Sequence, residues 1–149
     1  MSKVGVIACA VYRRSDGEDR DPLRNAGWVT YPEEQSHLIS ARWVDEQMRA
    51  GEGRVALRAS TLPLRAAAIR AGIGVGLLPC YAGDADPLLE RITPPVTDLG
   101  AEYWVIVHHD LRRAACVRAV IDWIRRVFDE HRDELAGIAS RQMKALAAE

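Results

Sequence analysis

Two hydroxyl side chains lie where ligand sites often form in α/β proteins. Arg58-Ala59-Ser60-Thr61 connects the end of a predicted strand to a predicted helix that begins with Leu62. Backbone N–H groups at a helix N-terminus, together with the hydroxyls of Ser60 and Thr61, suit a carboxylate or another small anion. The same residues also suit a helix N-cap, because serine and threonine are favoured there. Both roles are compatible, since one hydroxyl can cap the helix while the other faces a cleft.

A second candidate is the glycine-rich segment Gly72-Ile73-Gly74-Val75-Gly76. A dinucleotide-binding fingerprint follows a strand and opens a helix, whereas here a helix precedes the glycines and a strand follows them. The end of a helix exposes carbonyl groups, which do not attract a phosphate. We therefore predict that Gly72 ends the helix in a left-handed conformation, and that Gly74 and Gly76 allow close contact between helix and strand.

His108, His109 and Asp110 are residue types that could hold a metal ion or serve as a base. We interpret the two histidines as the end of a strand, where neighbouring side chains point to opposite faces of the sheet. On that interpretation the two imidazoles do not share one ion, and no cysteine or carboxylate joins them at ligand spacing. The prediction is that the chain has no metal site.

The remaining nucleophiles form no catalytic pattern. Cys9, Cys80 and Cys116 are widely spaced and odd in number, which favours reduced thiols over a disulfide framework or a CxxC pair. The chain has no G-x-S-x-G motif, and no local pattern around Cys80 would activate a thiolate. We predict that the protein is not an enzyme and carries no cofactor.

Length and charge narrow the function classes further. A chain of 149 residues, 48% apolar and 28% charged, predicts one globular domain. The 20 lysines and arginines nearly cancel the 21 acidic residues, which excludes a strongly basic body that binds nucleic acid. The longest apolar run, Val4 to Val11, is too short for a membrane span or a secretory signal. We therefore expect a cytoplasmic protein with no membrane partner.

The elements that must position these residues alternate between strands and helices. Apolar runs and alternating patterns predict six strands, at Val4 to Tyr12, Trp28 to Tyr31, Arg54 to Arg58, Val75 to Leu78, Leu88 to Ile92 and Tyr103 to His108. Amphipathic spacing and cap residues predict helices from the N-cap Ser36 to Ala50, from Leu62 to Ala71, from Val117 to Phe128, and at the C-terminus through Leu135, Ile138, Gln142 and Leu146. This alternation predicts α/β layers with at least some parallel pairing.

The segment around the two hydroxyls resembles a known family. Leu57-Arg58-Ala59-Ser60-Thr61-Leu62, followed by Ala66-Ala67-Ala68-Ile69-Arg70-Ala71-Gly72-Ile73-Gly74-Val75-Gly76-Leu77-Leu78-Pro79, is similar to the effector-binding domain of LysR-type transcriptional regulators. The resemblance continues through Cys80 to Ile92, Tyr103 to Arg113 and Val117 to Ile124. It covers the chain from about Val4 to Phe128, and the order helix, glycine, strand, Leu-Pro is its most specific part.

This resemblance implies part of an α/β fold like that of the type II periplasmic binding proteins, in which two crossover strands join two lobes and the effector lies between the lobes. Val6 to Val11 would be the first crossover strand and Val105 to Val107 the return, with the second lobe between them and the last helix packed on the first lobe. Ser60, Thr61 and Leu62 match the loop that faces the effector. Residues 1–128 would be a partial effector-binding domain, and residues 129–149 a C-terminal helical extension.

A full-length member also has a winged helix-turn-helix and an opening part of the first lobe, and neither is expected before Val4. We therefore expect contact with DNA only through a segment absent from this chain, and a cleft that lacks half of its wall. The leading hypothesis is the effector-sensing part of such a regulator, which binds an organic acid or an aromatic compound. A homo-oligomer or a full-length regulator would be its protein partner. The alternatives are an interaction module that pairs with full-length regulators and a small-solute-binding module outside transcription.

Overall fold

Six strands form one mixed sheet in the computed structural model, which describes residues 1–138. The order along the sheet is β3-β2-β4-β1-β5, and β6 pairs with another part of β1. The strands are β1 (Ser2–Arg14), β2 (Gly27–Thr30), β3 (Arg54–Arg58), β4 (Val75–Pro79), β5 (Leu89–Arg91) and β6 (Val96–Val105).

The long strand β1 joins the two parts of the sheet. Its first half pairs antiparallel with β6, from Ser2 opposite Val105 to Cys9 opposite Val96. Its second half pairs antiparallel with β4 and β5. The continuous apolar run correctly predicted a strand here. The strand is buried mainly from Ile7 to Tyr12, and a strand covered on both faces is apolar at every position.

In the part of the chain that the structure describes, parallel pairing is confined to the region of the sheet that carries Ser60 and Thr61. Strand β2 pairs parallel with β3 on one side and with β4 on the other. The connections β2–α1–β3 and β3–α2–β4 each cross over through a helix, as parallel neighbours require. The prediction of some parallel pairing is therefore confirmed, and the carboxyl ends of β2, β3 and β4 lie at one edge.

Within the described residues 1–138, five α-helices accompany the sheet: α1 (Ile39–Ala50), α2 (Leu62–Arg70), α3 (Cys80–Asp84), α4 (Ala115–Glu130) and α5 (Arg132–Leu135). The prediction that Ser36 caps α1 is wrong. Pro32 starts a 3-10 turn, and the Ser36 N–H donates to the Glu33 carbonyl and ends that turn. The residue before α1 is Leu38, whose side chain makes no capping hydrogen bond.

Two predictions near the C-terminus need correction. Strand β6 runs from Val96 to Val105 instead of from Tyr103 to His108. Helix α5 ends at Leu135, and Gly137 follows with a φ of 72°. The predicted C-terminal helix therefore does not continue through Ile138, and its positions Gln142 and Leu146 lie outside the described residues.

The apolar core lies in two layers, one on each face of the sheet. Tyr12, Ile69 and Leu78 are fully buried on the face that α2 covers. Val11, Trp28 and Val44 are fully buried on the face that α1 covers. Because successive strand residues point to opposite faces, the buried neighbours Val11 and Tyr12 contribute to different layers.

Helix α4 lies over the paired part of β1 and β6. The rings of Tyr103 and Phe128 meet there, with centroids 5.8 Å apart. No residue of α4 is buried, and Trp123 remains 61% exposed. None of the helices in residues 1–138 is both long and apolar enough to cross a membrane.

Candidate functional site

The predicted effector-binding residues Ser60, Thr61 and Leu62 lie together between β3 and α2. Thr61 is the N-cap of α2, and its hydroxyl accepts a hydrogen bond from the Leu64 N–H at 3.4 Å. Ser60 and Thr61 are exposed, and Leu62 is half-buried. Thr61 therefore takes the capping role that the sequence left open, and the hydroxyl of Ser60 faces solvent.

The loop after β2 packs against this segment. The Ala59 N–H donates to the Thr30 carbonyl at 2.9 Å, and Gln35 Nε2 donates to the Ser60 carbonyl at 3.2 Å. Arg58 Nη1 donates to the Tyr31 carbonyl at 2.9 Å. These hydrogen bonds join the carboxyl ends of the parallel strands β2 and β3 into one surface, which we call the ledge and which consists of Thr30, Tyr31, Gln35 and residues 58–62. Open α/β sheets bind ligands in this place.

Arg65 lies behind that ledge, with only 8% of its surface exposed. Its Nη1 donates to the Ala59 carbonyl at 3.2 Å, and its guanidinium carbon lies 4.3 Å from the centroid of the Tyr31 ring. Its Nε is buried and has no hydrogen-bond partner in the described part of the chain. A buried guanidinium with an unpaired nitrogen makes the local potential positive, which favours an anion.

The start of α2 offers few free donors. Pro63 has no N–H, the Leu64 N–H donates to Thr61, and the Arg65 N–H donates to the Thr61 carbonyl. Of the first-turn donors that a helix usually presents, this leaves the Leu62 N–H. The donor set for a ligand is therefore the hydroxyl of Ser60 and the N–H of Leu62, in front of the positive charge of Arg65.

The glycine segment has a structural role. Gly72 has a φ of 78°, as predicted for the end of α2. A Cβ on Gly76 would lie 2.8 Å from Ile69 Cδ1, which confirms the close contact between helix and strand. A Cβ on Gly74 would instead meet the backbone carbonyl of Gly27, so that glycine permits close approach of two backbones rather than of a helix and a strand.

A cleft of about 340 Å³ lies beside Gly72 and Gly74, and Arg13, Arg14 and Arg24 line it. Arg13 and Arg14 are each paired with a carboxylate, Glu90 and Asp16 respectively, at 3.0 Å. These ion pairs offset two of the three positive charges in the lining.

His108, His109 and Asp110 do not lie on a strand. Strand β6 ends at Val105, and His108 precedes a 3-10 turn formed by His109–Leu111. The two imidazole centroids are 4.6 Å apart, so the interpretation that the rings point to opposite faces is wrong. The turn brings the three side chains to the same side of the backbone.

A buried polar cluster connects β1, α3 and β5. Tyr12 donates to Asp84 Oδ1 at 2.8 Å, and Arg91 forms a salt bridge with the same carboxylate. Burial, helped by the neighbouring Cys80 and by Asp84, raises the pKa of Tyr12 far above its usual value. Arg91 Nη1 also donates to the Gly137 carbonyl at 2.8 Å, so the cluster holds the end of the described chain in place.

The two thiols nearest to the sheet are less acidic than a free cysteine. Burial, together with the nearby Cys80, raises the pKa of Cys9 to about 11. Burial also raises the pKa of the Cys80 thiol. A raised pKa keeps a thiol protonated at neutral pH, whereas a nucleophilic cysteine needs a lowered one.

Sequence reasoning missed the residues that surround Ser60. An arginine within an alanine-rich helix usually indicates an exposed position, and nothing local connects Arg65 with Tyr31. The one usable signal was that Tyr31 ends one predicted strand and Ser60 closely follows the next, because neighbouring parallel strands end at the same edge.

Several solved structures share this fold at low sequence identity. The regulatory domain of CcmR from Synechocystis PCC6803, in complex with 2-PG, gives a TM-score of 0.57 at 13% identity, over 85% of this chain and 65% of that one. An H2O2-bound cysteine mutant of OxyR from Corynebacterium glutamicum gives 0.53 at 16% identity, over 95% and 47%. The effector domain of AmpR from Pseudomonas aeruginosa gives 0.52 at 14% identity, over 95% and 66%. The chain therefore spans between about half and two thirds of the length of these structures.

No curated protein sequence matches the chain. The model of the LysR substrate binding domain family does match, over residues 9–129. Domains of this family have the type II periplasmic-binding-protein-like fold, and they are effector-binding domains of transcription factors and not enzymes. The match covers most of the chain and includes all of the ledge, the glycine segment and the start of α4, so the chain belongs to the LysR substrate-binding domain family.

Proposed function

We propose that this chain is the effector-sensing part of a LysR-type transcriptional regulator, and that it binds a small organic acid at Ser60, Thr61 and Leu62. One observation carries the proposal. These residues start α2 at the common carboxyl edge of β2 and β3, and the buried guanidinium of Arg65 donates to the carbonyl of the adjacent Ala59.

Each of the three residues has its own part in binding. The Ser60 hydroxyl and the Leu62 N–H donate to the carboxylate, and the Thr61 hydroxyl holds the start of α2 by capping it. The charge of Arg65 strengthens both hydrogen bonds, because bonds to an ionised acceptor are about twice as strong as neutral ones. The CcmR regulatory domain, which shares the fold, is in complex with 2-PG.

The ledge favours an organic acid over an aromatic compound. The aromatic ring at this edge belongs to Tyr31, which is 9% exposed and is covered by Arg65. A ligand ring therefore finds no free face of Tyr31 to stack on. A carboxylate, in contrast, finds two donors and a positive charge.

We propose that binding controls transcription by a shift in population. An effector held between two lobes stabilises the arrangement of lobes that it binds more tightly. The equilibrium between the two arrangements shifts by the difference in the effector's binding free energy for them. Contact with DNA would come from a segment outside these 149 residues. On this proposal the protein works in the cytoplasm, with residues 1–128 as the partial effector-binding domain and residues 129–149 as a C-terminal extension of that domain.

Isothermal titration of the 149-residue chain against matched pairs of small carboxylates and their amides tests this function. We expect at least one carboxylate to bind and its amide not to bind. Ser60→Ala should weaken binding about tenfold to 150-fold, the loss of one hydrogen bond to a charged group. Ser15→Ala, which removes an exposed hydroxyl from the loop after β1, is the control and should leave binding unchanged. Equal binding of acid and amide, or equal effects of the two variants, would contradict the proposal.

The exposed apolar face of α4 favours a second function, which is pairing with another copy of this domain. That copy would belong either to a second identical chain or to a full-length regulator. Val120 is 54% exposed and lines, with Val105 and Val107, a groove with no polar lining. Exposed apolar patches of this kind mark interaction sites. Sedimentation measures this pairing. We expect Trp123→Glu to weaken it and Ile39→Glu, an exposed control on α1, to leave it unchanged. A monomeric wild-type chain would exclude self-pairing.

A further inference from the structure

The turn between β6 and α4 carries three potential metal ligands side by side. His108 Nδ1 lies 3.4 Å from Asp110 Oδ2, and His109 Nε2 lies 2.7 Å from Asp110 Oδ1. The three donor atoms all lie within 4.8 Å of one another. The three residues are consecutive in the chain, and the 3-10 turn His109–Leu111 brings their side chains together.

We propose that His108, His109 and Asp110 bind a divalent transition-metal ion of the zinc class. Two imidazole nitrogens and one carboxylate oxygen form a mixed N/O ligand set, which suits zinc, nickel or copper better than magnesium or calcium. The proposal concerns binding at the surface of this turn and is independent of the effector ledge.

The spacing of the donor atoms matches a coordination shell. With metal–ligand bonds of about 2.0–2.2 Å, two ligands of one ion lie about 3.4 Å apart in a tetrahedron and about 3.0 Å apart in an octahedron. The two imidazoles lie 3.4 Å and 2.7 Å from different oxygens of Asp110, and the three donor atoms lie within 4.8 Å of one another, so side-chain rotations that draw them closer would complete the site. All three side chains are more than 60% exposed, so water can occupy the remaining positions.

Without a metal, the same atoms can only contact one another. Each imidazole lies beside one oxygen of the Asp110 carboxylate, and such exposed pairs contribute about 0–1 kcal/mol. A metal ion would bind lone pairs of these same nitrogen and oxygen atoms, at little cost in ordering because the side chains are already adjacent. Arg112 and Arg113 follow directly, and salt screens their repulsion of a cation because they are exposed.

The chain offers a natural comparison at its other histidines. His131 Nδ1 lies 3.0 Å from Glu134 Oε2, which gives one imidazole and one carboxylate with similar exposure. His37 contacts the Glu34 carbonyl. A site with two protein ligands binds more weakly than one with three, so His131 is the matched control for the loss of a surface imidazole.

The test is titration of the full 149-residue chain with ZnCl2, and separately with MgCl2, followed by calorimetry. The reference protein for this test, called the parent, carries Cys116→Ser, because an exposed thiol can bind zinc by itself. The histidine variants are made in this parent. We expect one equivalent of zinc to bind and magnesium not to bind. His109→Ala should lower the zinc affinity at least about tenfold, as expected for the loss of one of three ligands. His131→Ala should change the affinity less than about twofold.

A second readout separates binding at the turn from nonspecific binding. Zinc that binds the folded protein raises its melting temperature, and the increase should be absent in His109→Ala and present in His131→Ala. Asp110→Asn, which keeps the size of the side chain but removes its charge, should also lower the affinity. No zinc binding by the parent, or equal losses in His109→Ala and His131→Ala, would overturn the proposal.

Discussion

The guanidinium carbon of Arg65 lies 4.3 Å from the centroid of the Tyr31 ring. This contact connects the first turns of α2 to the loop after β2, two segments that are distant in sequence and that together form the ledge. The same arginine donates to the Ala59 carbonyl at 3.2 Å. One side chain therefore sets both the shape of the candidate site and its charge.

Replacement of Arg65 separates these two contributions. Cation–π contact contributes about 0.5–2 kcal/mol, whereas burial of a guanidinium costs several kcal/mol in lost hydration. Arg65→Met keeps most of the volume, so we expect the free energy of unfolding to change by less than about 1 kcal/mol. Carboxylate binding should nevertheless be lost. Urea denaturation and calorimetry measure the two quantities.

Arg65→Ala is the contrasting variant, because it also leaves a cavity. We expect it to lower the free energy of unfolding by about 2–4 kcal/mol, as other large-to-small changes in a core do. If Arg65→Met were as destabilising as Arg65→Ala, the charge of Arg65 would be structural and its assignment to ligand binding would fail.

The two hydroxyls of the ledge should differ in their effect on stability. Thr61→Ala removes the N-cap of α2, so the free energy of unfolding should fall by about 1 kcal/mol. Ser60→Ala removes an exposed hydroxyl and should change it by less than about 0.5 kcal/mol. Thr61→Ser retains a capping oxygen and serves as the control. Equal losses for Ser60→Ala and Thr61→Ala in urea denaturation would contradict this division of roles.

Local patterns in the sequence predicted an N-cap at Ser60 or Thr61, the αL glycine and most strands, because each depends on a few neighbouring residues, but they placed the cap of α1 wrongly at Ser36. Thr61 and Gly72 are at the positions that these patterns indicate. The first part of β6 was missed because it contains Asp98 and Glu102, and its strand conformation comes from pairing with β1. Pairing of that kind connects residues that no local window contains.

The same limit applies to the candidate site. Ser60 could be placed at a strand end from sequence, but the contact of Arg65 with Tyr31 depends on the parallel order of β2 and β3. The error over His108 and His109 has a related cause. The predicted strand extended to His108, beyond the end of β6 at Val105, and a strand places neighbouring side chains on opposite faces. The 3-10 turn His109–Leu111 instead brings the two imidazoles together.

The buried cluster of Tyr12, Asp84 and Arg91 should be the most sensitive polar feature of the fold. Asp84→Ala leaves the guanidinium of Arg91 buried without its carboxylate, and such a loss costs about 3–5 kcal/mol. Tyr12→Phe removes one hydrogen bond and should cost about 1 kcal/mol. Thermal or urea unfolding measures both.

Asp129→Ala provides the matched control for Asp84→Ala. It removes a carboxylate from an exposed ion pair with Arg132, and such pairs contribute about 0–1 kcal/mol. If Asp84→Ala and Asp129→Ala cost the same, the Arg91 cluster would not hold α3 and β5 in the way that the contacts indicate.

Stability should fall in alkaline solution, in part through Cys9. Burial raises the pKa of this thiol from its usual 9.0 to about 11. Between these pH values the unfolded chain loses the proton while the folded chain keeps it, so the free energy of unfolding falls as pH rises. The stabilising contribution is complete below pH 9 and is lost as the pH passes through 11. One such group contributes a slope of at most about 1.4 kcal/mol per pH unit.

Cys9→Ala isolates this contribution. The pKa of Tyr12 and that of Cys80 are raised as well, so both proteins lose stability at high pH. Cys9→Ala lacks only the pH-dependent loss of stability that comes from Cys9. We therefore expect it to be less stable than the wild type at pH 8, through the lost packing, and the gap to narrow steadily towards pH 11. Urea denaturation across this range measures the gap, and a gap that stayed constant would show that Cys9 titrates alike in the folded and unfolded chains.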